Sequence, residues 1–495
     1  RDRSVSRGLG DVYKRQMGHS GEGFISGIAV FNYNVGAIFV IIFVSLFFLP
    51  FYIKSGIYTI PEYLGRRFDN RSRKYFSFIT IIGNVFLDAG AALYTGALIL
   101  KIIFPEIDMM WIIIGMALMA GTYTIIGGLS SAINADMIQS IILIAGSVLL
   151  SIFCFNSVGG WENFVEHFHD GVWLNLIRPN SDTTVPWFSI FLSIPILGFY
   201  FWGNNQVIVQ RVMSAKTVNE GRLGFLFVAF LYVFTLFIFI APGMVGRMID
   251  LFGVGDTLPN EIIDGNTLRA QYGIDTNEVY PRLILKLLPV GLIGVMIACM
   301  VSALTSTLSA TLSSVSTLFT MDFYKSWRPE SSPRHLVRVG QWTSFITLVV
   351  AVLWAPLIGK FASLVAYYQE FSSYLAPPIV GTFLVGLFWK GSTRNGAFAG
   401  LMSGLAMSAL IMTYKFGFGG VVPFHFLLWV PILLILSVLV NIIVSKCDRN
   451  KETDVETYTW NKSVWQDDTR ELKTVPWYKN FRYISIALIL SLIHI

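Results

Sequence analysis

A chain of 495 residues that is 54% hydrophobic and only 13% charged, with a mean hydropathy of +0.63, carries more apolar surface than a soluble protein of this length can bury. That excludes an ordinary soluble domain and makes lipid the solvent and the bilayer a partner. The formal charge of +6 does not point to nucleic acid, because the Lys and Arg residues sit in short connecting loops instead of on one face.

In chain order, residues 1–16 (R-D-R-S-V-S-R-G-L-G-D-V-Y-K-R-Q) have no initiator Met and no signal-peptide pattern, and they join apolar sequence abruptly at Met17. They are expected to be non-native. Met17 to Gly27, M-G-H-S-G-E-G-F-I-S-G, packs four glycines and a Glu into the start of a span. Runs of spanning length with little charge then recur at about 28–52, 76–100, 109–127, 137–157, 187–210, 223–246, 287–320, 339–359, 371–389, 395–414 and 423–445. These predict eleven complete spans with a fragment at each end. Runs this long favour helices over barrel strands, which alternate at period two.

Arg66, Arg67, Arg71, Arg73 and Lys74 follow the first full span, and further basic loops hold Arg211, Lys216 and Arg222, then Lys325, Arg328, Arg334 and Arg338, then Lys390 and Arg394. These loops are expected on the cytoplasmic side. Acidic loops with Glu162, Glu166, Asp170 and Asp182, or with Asp250, Asp256, Glu261, Asp264, Asp275 and Glu278, then face outward. Cys154, Cys299 and Cys447 are scattered and predict neither a disulfide framework nor a zinc site.

The segment 187–210 is interrupted by Pro195, Gly198, Gly203 and the run Asn204, Asn205, Gln206, and it is sixth in order after the glycine-rich opening. Interruptions at matching places in two five-helix halves are the mark of an inverted-repeat transporter. Unwound backbone cannot face lipid, so both breaks must face protein or a watery cavity. The bland alternative is that Pro and Gly are common packing and kink residues in membrane helices.

Residues 301–320, V-S-A-L-T-S-T-L-S-A-T-L-S-S-V-S-T-L-F-T, are uncharged, yet eleven of the twenty are Ser or Thr. At 3.6 residues per turn Ser302, Thr305 with Ser306, Ser309, Ser313, Ser316 with Thr317, and Thr320 form one stripe, with Leu304, Leu308, Leu312 and Leu318 on the other side. Close helix packing accounts for much of it, since each hydroxyl can bond a carbonyl one turn earlier. The adjacent pair Ser306 and Thr307 also suits a small hard cation, which replaces its water with several oxygen ligands.

The segments G-I-Y-T-I-P-E-Y-L-G-R-R-F (56–68), G-G-L-S-S-A-I-N-A-D-M-I-Q (127–139), W-G-N-N-Q-V-I-V-Q-R (202–211), L-F-T-M-D-F-Y-K (318–325) and S-S-Y-L-A-P-P-I (372–379) resemble the sodium:solute symporter family, closest to its sodium/glucose cotransporter branch. The resemblance implies an all-α integral membrane protein with a leucine-transporter-like fold: two inverted five-helix repeats plus extra C-terminal helices, truncated at both ends. The expected units are 17–157 for the first repeat, its first core helix truncated; 158–186 for an extracellular loop; 187–389 for the second repeat; 390–445 for the extra helices; 446–482 for a cytoplasmic loop; and 483–495 for the start of a cut final helix.

The same resemblance implies Na⁺ as coupling ion, bound by the Ala303 carbonyl and the Ser306 and Thr307 hydroxyls on the eighth core helix, with further carbonyls from the first core helix upstream of Gly18. Asp136 matches a family acid linked to sodium release or a second ion, although an interfacial helix cap is the plainer reading. The solute positions fall on Asn34, Gly198, Tyr232 and Gln369, with Phe201 and Trp202 at the gate. Gln369 and Trp202 match the sugar-binding pattern closely, while Asn34, Gly198, Tyr232 and Phe201 depart from it; a neutral sugar or inositol is expected, with a carboxylate, amino acid or other solute, or a channel or sensor module, as the alternative. Asp88, mid-span, is a second intramembrane acid; His19, Gln206 and Arg211 read as packing or topology residues. No H-E-x-x-H or G-x-S-x-G pattern suggests an enzyme, no filter-like repeat suggests a channel, and no obligate protein partner is evident.

Overall fold

Apolar runs of this length satisfy their backbone hydrogen bonds in lipid only as helices or closed barrels. The computed structural model describes residues 16–54, 59–127, 129–169, 171–213, 217–259, 261–420, 422, 424–448, 458–460, 462–473 and 475–493. Within these, helices dominate, and the only β pairing is an isolated bridge between Arg178 and Pro186.

The long elements in order are α1 (Gln16–Ser26), α2 (Phe31–Phe47), α3 (Ile60–Arg67), α4 (Asn70–Ile103), α5 (Met109–Gly127), α6 (Leu129–Ser157), α7 (Trp161–His169), α8 (Trp187–Asn204), α9 (Gln206–Met213) and α10 (Val218–Met248). They continue as α11 (Val279–Leu287), α12 (Val290–Trp327), α13 (Pro333–Ile358), α14 (Leu364–Phe388), α15 (Arg394–Lys415), α16 (Phe426–Cys447), α17 (Lys462–Lys473) and α18 (Phe481–Ile493). Among the described residues ten helical stretches are long and apolar enough to cross a membrane. All eleven runs expected from the sequence fall on helices.

Several helices begin at interfacial caps. Thr59, Asp69, Thr217, Ser332, Ser363 and Thr393 each accept a backbone N–H of the first turn, satisfying donors that would otherwise be orphaned. The helix pair α4 and α12 runs 34 and 38 residues, about 51 and 57 Å at 1.5 Å per residue, well beyond a ~30 Å hydrocarbon core. Their ends therefore stand outside the lipid.

Both predicted interruptions are real breaks. The chain turns at Gly27, whose φ of +66° is open to glycine and strained for other residues; a Cβ there would lie 2.3 Å from the Trp173 carbonyl oxygen. In the second break α8 kinks at Ser193, passes into a π-helical turn at Tyr200–Asn204, and ends at Asn205, whose backbone is extended.

Helix α1 packs on α10 and α14, α2 on α8 and α10, and α12 on α4, α6 and α13. Two glycines let α1 touch α10 backbone to backbone: a Cβ on Gly23 would meet the Ile240 oxygen at 2.3 Å, and one on Gly243 the Ser20 oxygen at 2.0 Å. The Ser20 hydroxyl also donates to the Phe239 carbonyl at 2.7 Å, an acceptor offered by the π turn Leu236–Ile240. At its other end α1 is held by buried Arg178, which donates to the Ser26 carbonyl at 2.7 Å, and by Arg247, which reaches the Phe24 carbonyl at 3.2 Å. Cations at a helix C-terminus satisfy carbonyls that have no partner within the helix.

Candidate solute and sodium site

Where α1, α4, α8, α9, α12 and α14 converge, they leave a cavity of about 110 Å³, room for several waters when roughly 10–15 Å³ holds one. Gly18 and His19 come from α1; Leu87, Asp88, Ala91, Ala92 and Thr95 from α4; Phe201, Asn205 and Ile208 from the α8–α9 break; Leu304, Thr307 and Thr311 from α12; and Leu364, Val365, Tyr368 and Gln369 from α14. A largely apolar wall with a few convergent polar groups is the usual make-up of a small-molecule site.

Of the residues expected to hold solute, Phe201 and Gln369 line this cavity. The others stand behind the wall. Asn34 is fully buried, its Nδ2 donating to the Thr235 hydroxyl at 2.8 Å, and its Oδ1 has no partner among the described residues. Gly198 faces Val40, whose Cγ2 is 3.1 Å from where a Cβ would stand. Trp202 sits edge-on against Tyr232 and Phe225, with centroids 5.8 Å apart in each pair, and against Phe201 at 5.2 Å. Phe201 in turn meets Tyr368 at 6.4 Å. These T-shaped contacts hold the Phe201 and Trp202 rings in one orientation.

Of the residues expected to hold Na⁺, Thr307 lines the cavity and its hydroxyl donates to the Ala303 carbonyl at 2.9 Å, so these two oxygens lie side by side within one turn. Ser306 is buried next to them. The donor set is all oxygen, which suits Na⁺.

The cavity-facing row on α12 is Leu304, Thr307 and Thr311. Leu304 does stand opposite the polar stripe; the cavity lies on that side of the helix, where Thr307 and Thr311 supply its hydroxyls, and the stripe as a whole faces away from it. The stripe itself mostly packs: Thr305, Ser313 and Thr317 bond carbonyls four residues back, and Ser302 accepts from Gln139 of α6. The side chains of Asp136 and Arg211 lie outside the described residues. Gln206 is buried and anchors α3 through the Ile60 N–H at 2.8 Å.

Asp88 lies on a π-helical segment, Asn84–Ala89, directly in the cavity wall. Phe201 lies on the π turn of α8. Single π turns inside α-helices widen the turn and recur at functional sites. The carbonyl of Phe86 in the first of these accepts the Tyr367 hydroxyl at 2.9 Å, while Trp354 donates to that hydroxyl at 2.7 Å.

Sequence reasoning missed Tyr368, Thr311 and Thr95 in the wall, and two buried acids beside it. Glu22 of α1 accepts from Ser363 at the start of α14, and Glu370, next to Gln369, pairs with Lys415. The adjacent Gln-Glu pair carried a signal, because neighbours on a helix point apart: one faces the cavity and the other its partner helix.

The membrane-capable helices, the two breaks and the cavity between them define a membrane transporter of leucine-transporter-like architecture. A family model described as "Sodium:solute symporter family" matches residues 14–404. The chain is 32% identical over 468 residues to solute carrier family 5 member 4 of Rattus norvegicus, covering 87% of this chain and 69% of that protein. It is 30% identical over 465 residues to sodium/glucose cotransporter 1 of Oryctolagus cuniculus (87% and 70%), and 32% identical over 407 residues to sodium/mannose cotransporter SLC5A10 of Bos taurus (78% and 68%). Among solved structures it superposes on a Na⁺-coupled sialic acid symporter with a TM-score of 0.73, at 22% identity and over 91% and 90% of the two chains. The chain belongs to the sodium:solute symporter family, as a multi-pass cell-membrane protein with Na⁺ as its coupling ion.

Proposed function

We propose that this protein takes up a small neutral solute, a sugar or an inositol, together with Na⁺ by alternating access. One observation carries the reading: Thr307 of the hydroxyl-rich helix and Gln369 and Phe201 of the opposite wall line a single cavity. The printed names of two relatives, a glucose and a mannose cotransporter, favour a sugar.

In this reading the Ala303 carbonyl and the Ser306 and Thr307 hydroxyls hold Na⁺, with carbonyls of the first core helix upstream of Gly18 completing the shell. Gln369 hydrogen-bonds the solute and Phe201 covers it. Asn34, Gly198, Trp202 and Tyr232 shape the pocket from behind, and Asp136 serves sodium release. Na⁺ binding joins α1 to α12 and orders the pocket; the gate then opens inward and the ion leaves down its gradient. The coupling is reciprocal, so solute tightens Na⁺ as Na⁺ tightens solute. Asp88 in the wall is the observation that favours a second reading, a solute bearing an ammonium group.

The test is uptake of labelled sugars, inositols, carboxylates and amino acids, with Na⁺ or choline outside. Sodium-stimulated, saturable uptake of a sugar or inositol is expected, and replacing both Ser306 and Thr307 by Ala abolishes the stimulation. Sodium-independent flux of every compound overturns the proposal.

A further inference from the structure

Below the cavity, two rows of polar side chains face each other across the contact of α4 and α12. On α4 the row is Asn84, Thr80, Ser77 and Arg73, at spacings of three and four that keep one face, with Asp88 above it on the π segment in the cavity wall. On α12 Thr307, Thr311, Ser314 and Leu318 follow the same rule, and Asp322, on the π segment Phe319–Tyr324, is placed against α4 by its contacts.

Three contacts tie the rows together. Asn84 Nδ2 donates to the Ser314 hydroxyl at 3.0 Å, the Ser77 hydroxyl donates to Asp322 Oδ2, and Arg73 meets Asp322 Oδ1 through Nε at 3.1 Å and Nη2 at 2.6 Å. Between the upper contact and the lower two stands Thr80, 4% exposed, whose hydroxyl has no partner among the described residues. Both its neighbours on the row bond α12, so Thr80 faces the same seam, level with buried Leu318. From Thr311 in the cavity wall to Asp322 is about 16 Å of helix rise.

A buried hydroxyl left without a partner is costly unless something visits it. A carboxylate shielded inside a helix bundle also needs a cation. Here Arg73 supplies one from the inner end: its side chain is 32% exposed and that of Asp322 1%. The oxygens of Asp322, Ser77 and Thr80 are the donor type that a small alkali ion takes, with water filling the remaining positions. Leu318 is the apolar step such an ion must pass.

We propose that the α4–α12 seam conducts the coupling ion from the cavity to the cytoplasmic face, and that Asp322, Ser77 and Thr80 form an inner site where Na⁺ and the Arg73 guanidinium alternate. This rests on the Na⁺-coupled reading above. While Arg73 holds the carboxylate the seam is closed; an arriving ion displaces it, and Arg73 then drives the ion off, so release is a competition between two cations.

The experiment uses the full chain in proteoliposomes and measures two quantities: the external Na⁺ giving half-maximal uptake, and the internal Na⁺ giving half-maximal inhibition. Arg73→Gln is expected to lower the internal value about tenfold, Asp322→Asn to raise it by at least as much, and Thr80→Val to raise it severalfold. External values stay within about twofold. Should Asp322→Asn fail to fold, Arg73→Gln and Thr80→Val decide. Internal values unmoved in both overturn the inner site while leaving sodium coupling intact, whereas a wild type with no external sodium dependence overturns coupling and inner site together.

Discussion

His425 closes the N-terminus of α16 with two opposed contacts. Its Nδ1 accepts the Leu427 N–H at 3.3 Å and its Nε2 reaches the Thr183 carbonyl at 3.1 Å, a pair that only the neutral, Nε2-protonated ring can make. Burial holds its pKa below the usual 6.5; the Thr183 carbonyl, Asp182 and Glu370 pull the other way, and Lys415 adds to the lowering. The unfolded chain therefore takes up the proton first as pH falls. The stability that the neutral ring contributes is complete above about pH 6.5 and is lost as pH drops through the lower, folded-state value. Melting of the purified protein between pH 8 and 5 is expected to show this loss, and His425→Gln to remove that part of the slope. A variant with the wild-type slope would mean that the loss comes from other groups. None of this was legible in the sequence, where His425 follows a phenylalanine like any loop residue. Its role comes from Thr183, which lies 242 positions away.

At the scale of elements, the two interrupted helices could be read from Pro and Gly, because those residues disturb a helix wherever they fall. The π turns in α4, α8 and α10 could not. Segments such as N-V-F-L-D-A and L-F-I-F-I look like ordinary helix, and the extra residue per turn is stabilised by neighbours: Tyr367 on Phe86, Tyr52 on Gly203 at 3.3 Å, Ser20 on Phe239. The rotation that a π turn adds changes which residues downstream face the cavity. The hydroxyl stripe on α12 was likewise visible, but the cavity lies on the opposite side of the helix, at Leu304, Thr307 and Thr311, since a helical wheel has no knowledge of which neighbour covers which side. The α1–α10 contact gives a test at this scale. Gly243→Ala puts a methyl group where the Ser20 carbonyl stands, with no flexible side chain to give way. It is expected to cost about 1–3 kcal/mol, seen as a lower melting temperature, and to weaken external Na⁺ because α1 is displaced. Wild-type melting and Na⁺ dependence would show that the helices separate freely.

Across the whole molecule, the segment after α16 is more than a solvated loop. Asp468 of α17 pairs with Arg222 of α10, both almost fully buried, and with Arg482 of α18 at 3.0 Å. Arg222 also donates to the Ser45 carbonyl of α2 at 2.7 Å and lies 3.9 Å over the Phe481 ring. One guanidinium thus joins α2, α10, α17 and α18. Removing one partner of a buried pair leaves a bare charge, so Asp468→Asn is expected to cost about 3–5 kcal/mol, while replacing Arg222 and Asp468 together by leucine should recover much of that. Equal melting temperatures for the single and double variants would show that the pair is not the link.

The sequence by itself determined the solvent, the helical class, the order of the apolar runs, the two breaks and the family. Each of these follows from local composition or from short motifs, and lipid enforces them helix by helix. Only the tertiary structure decided which side chains share a cavity: Thr307 with Gln369 and Phe201, Asp88 in the wall, Trp202 and Tyr232 behind it, and a polar seam running down from Thr311 to Asp322. Those pairings join residues up to hundreds of positions apart, and they depend on how each helix is rotated against its neighbours. Local periodicity leaves that angle free; packing sets it.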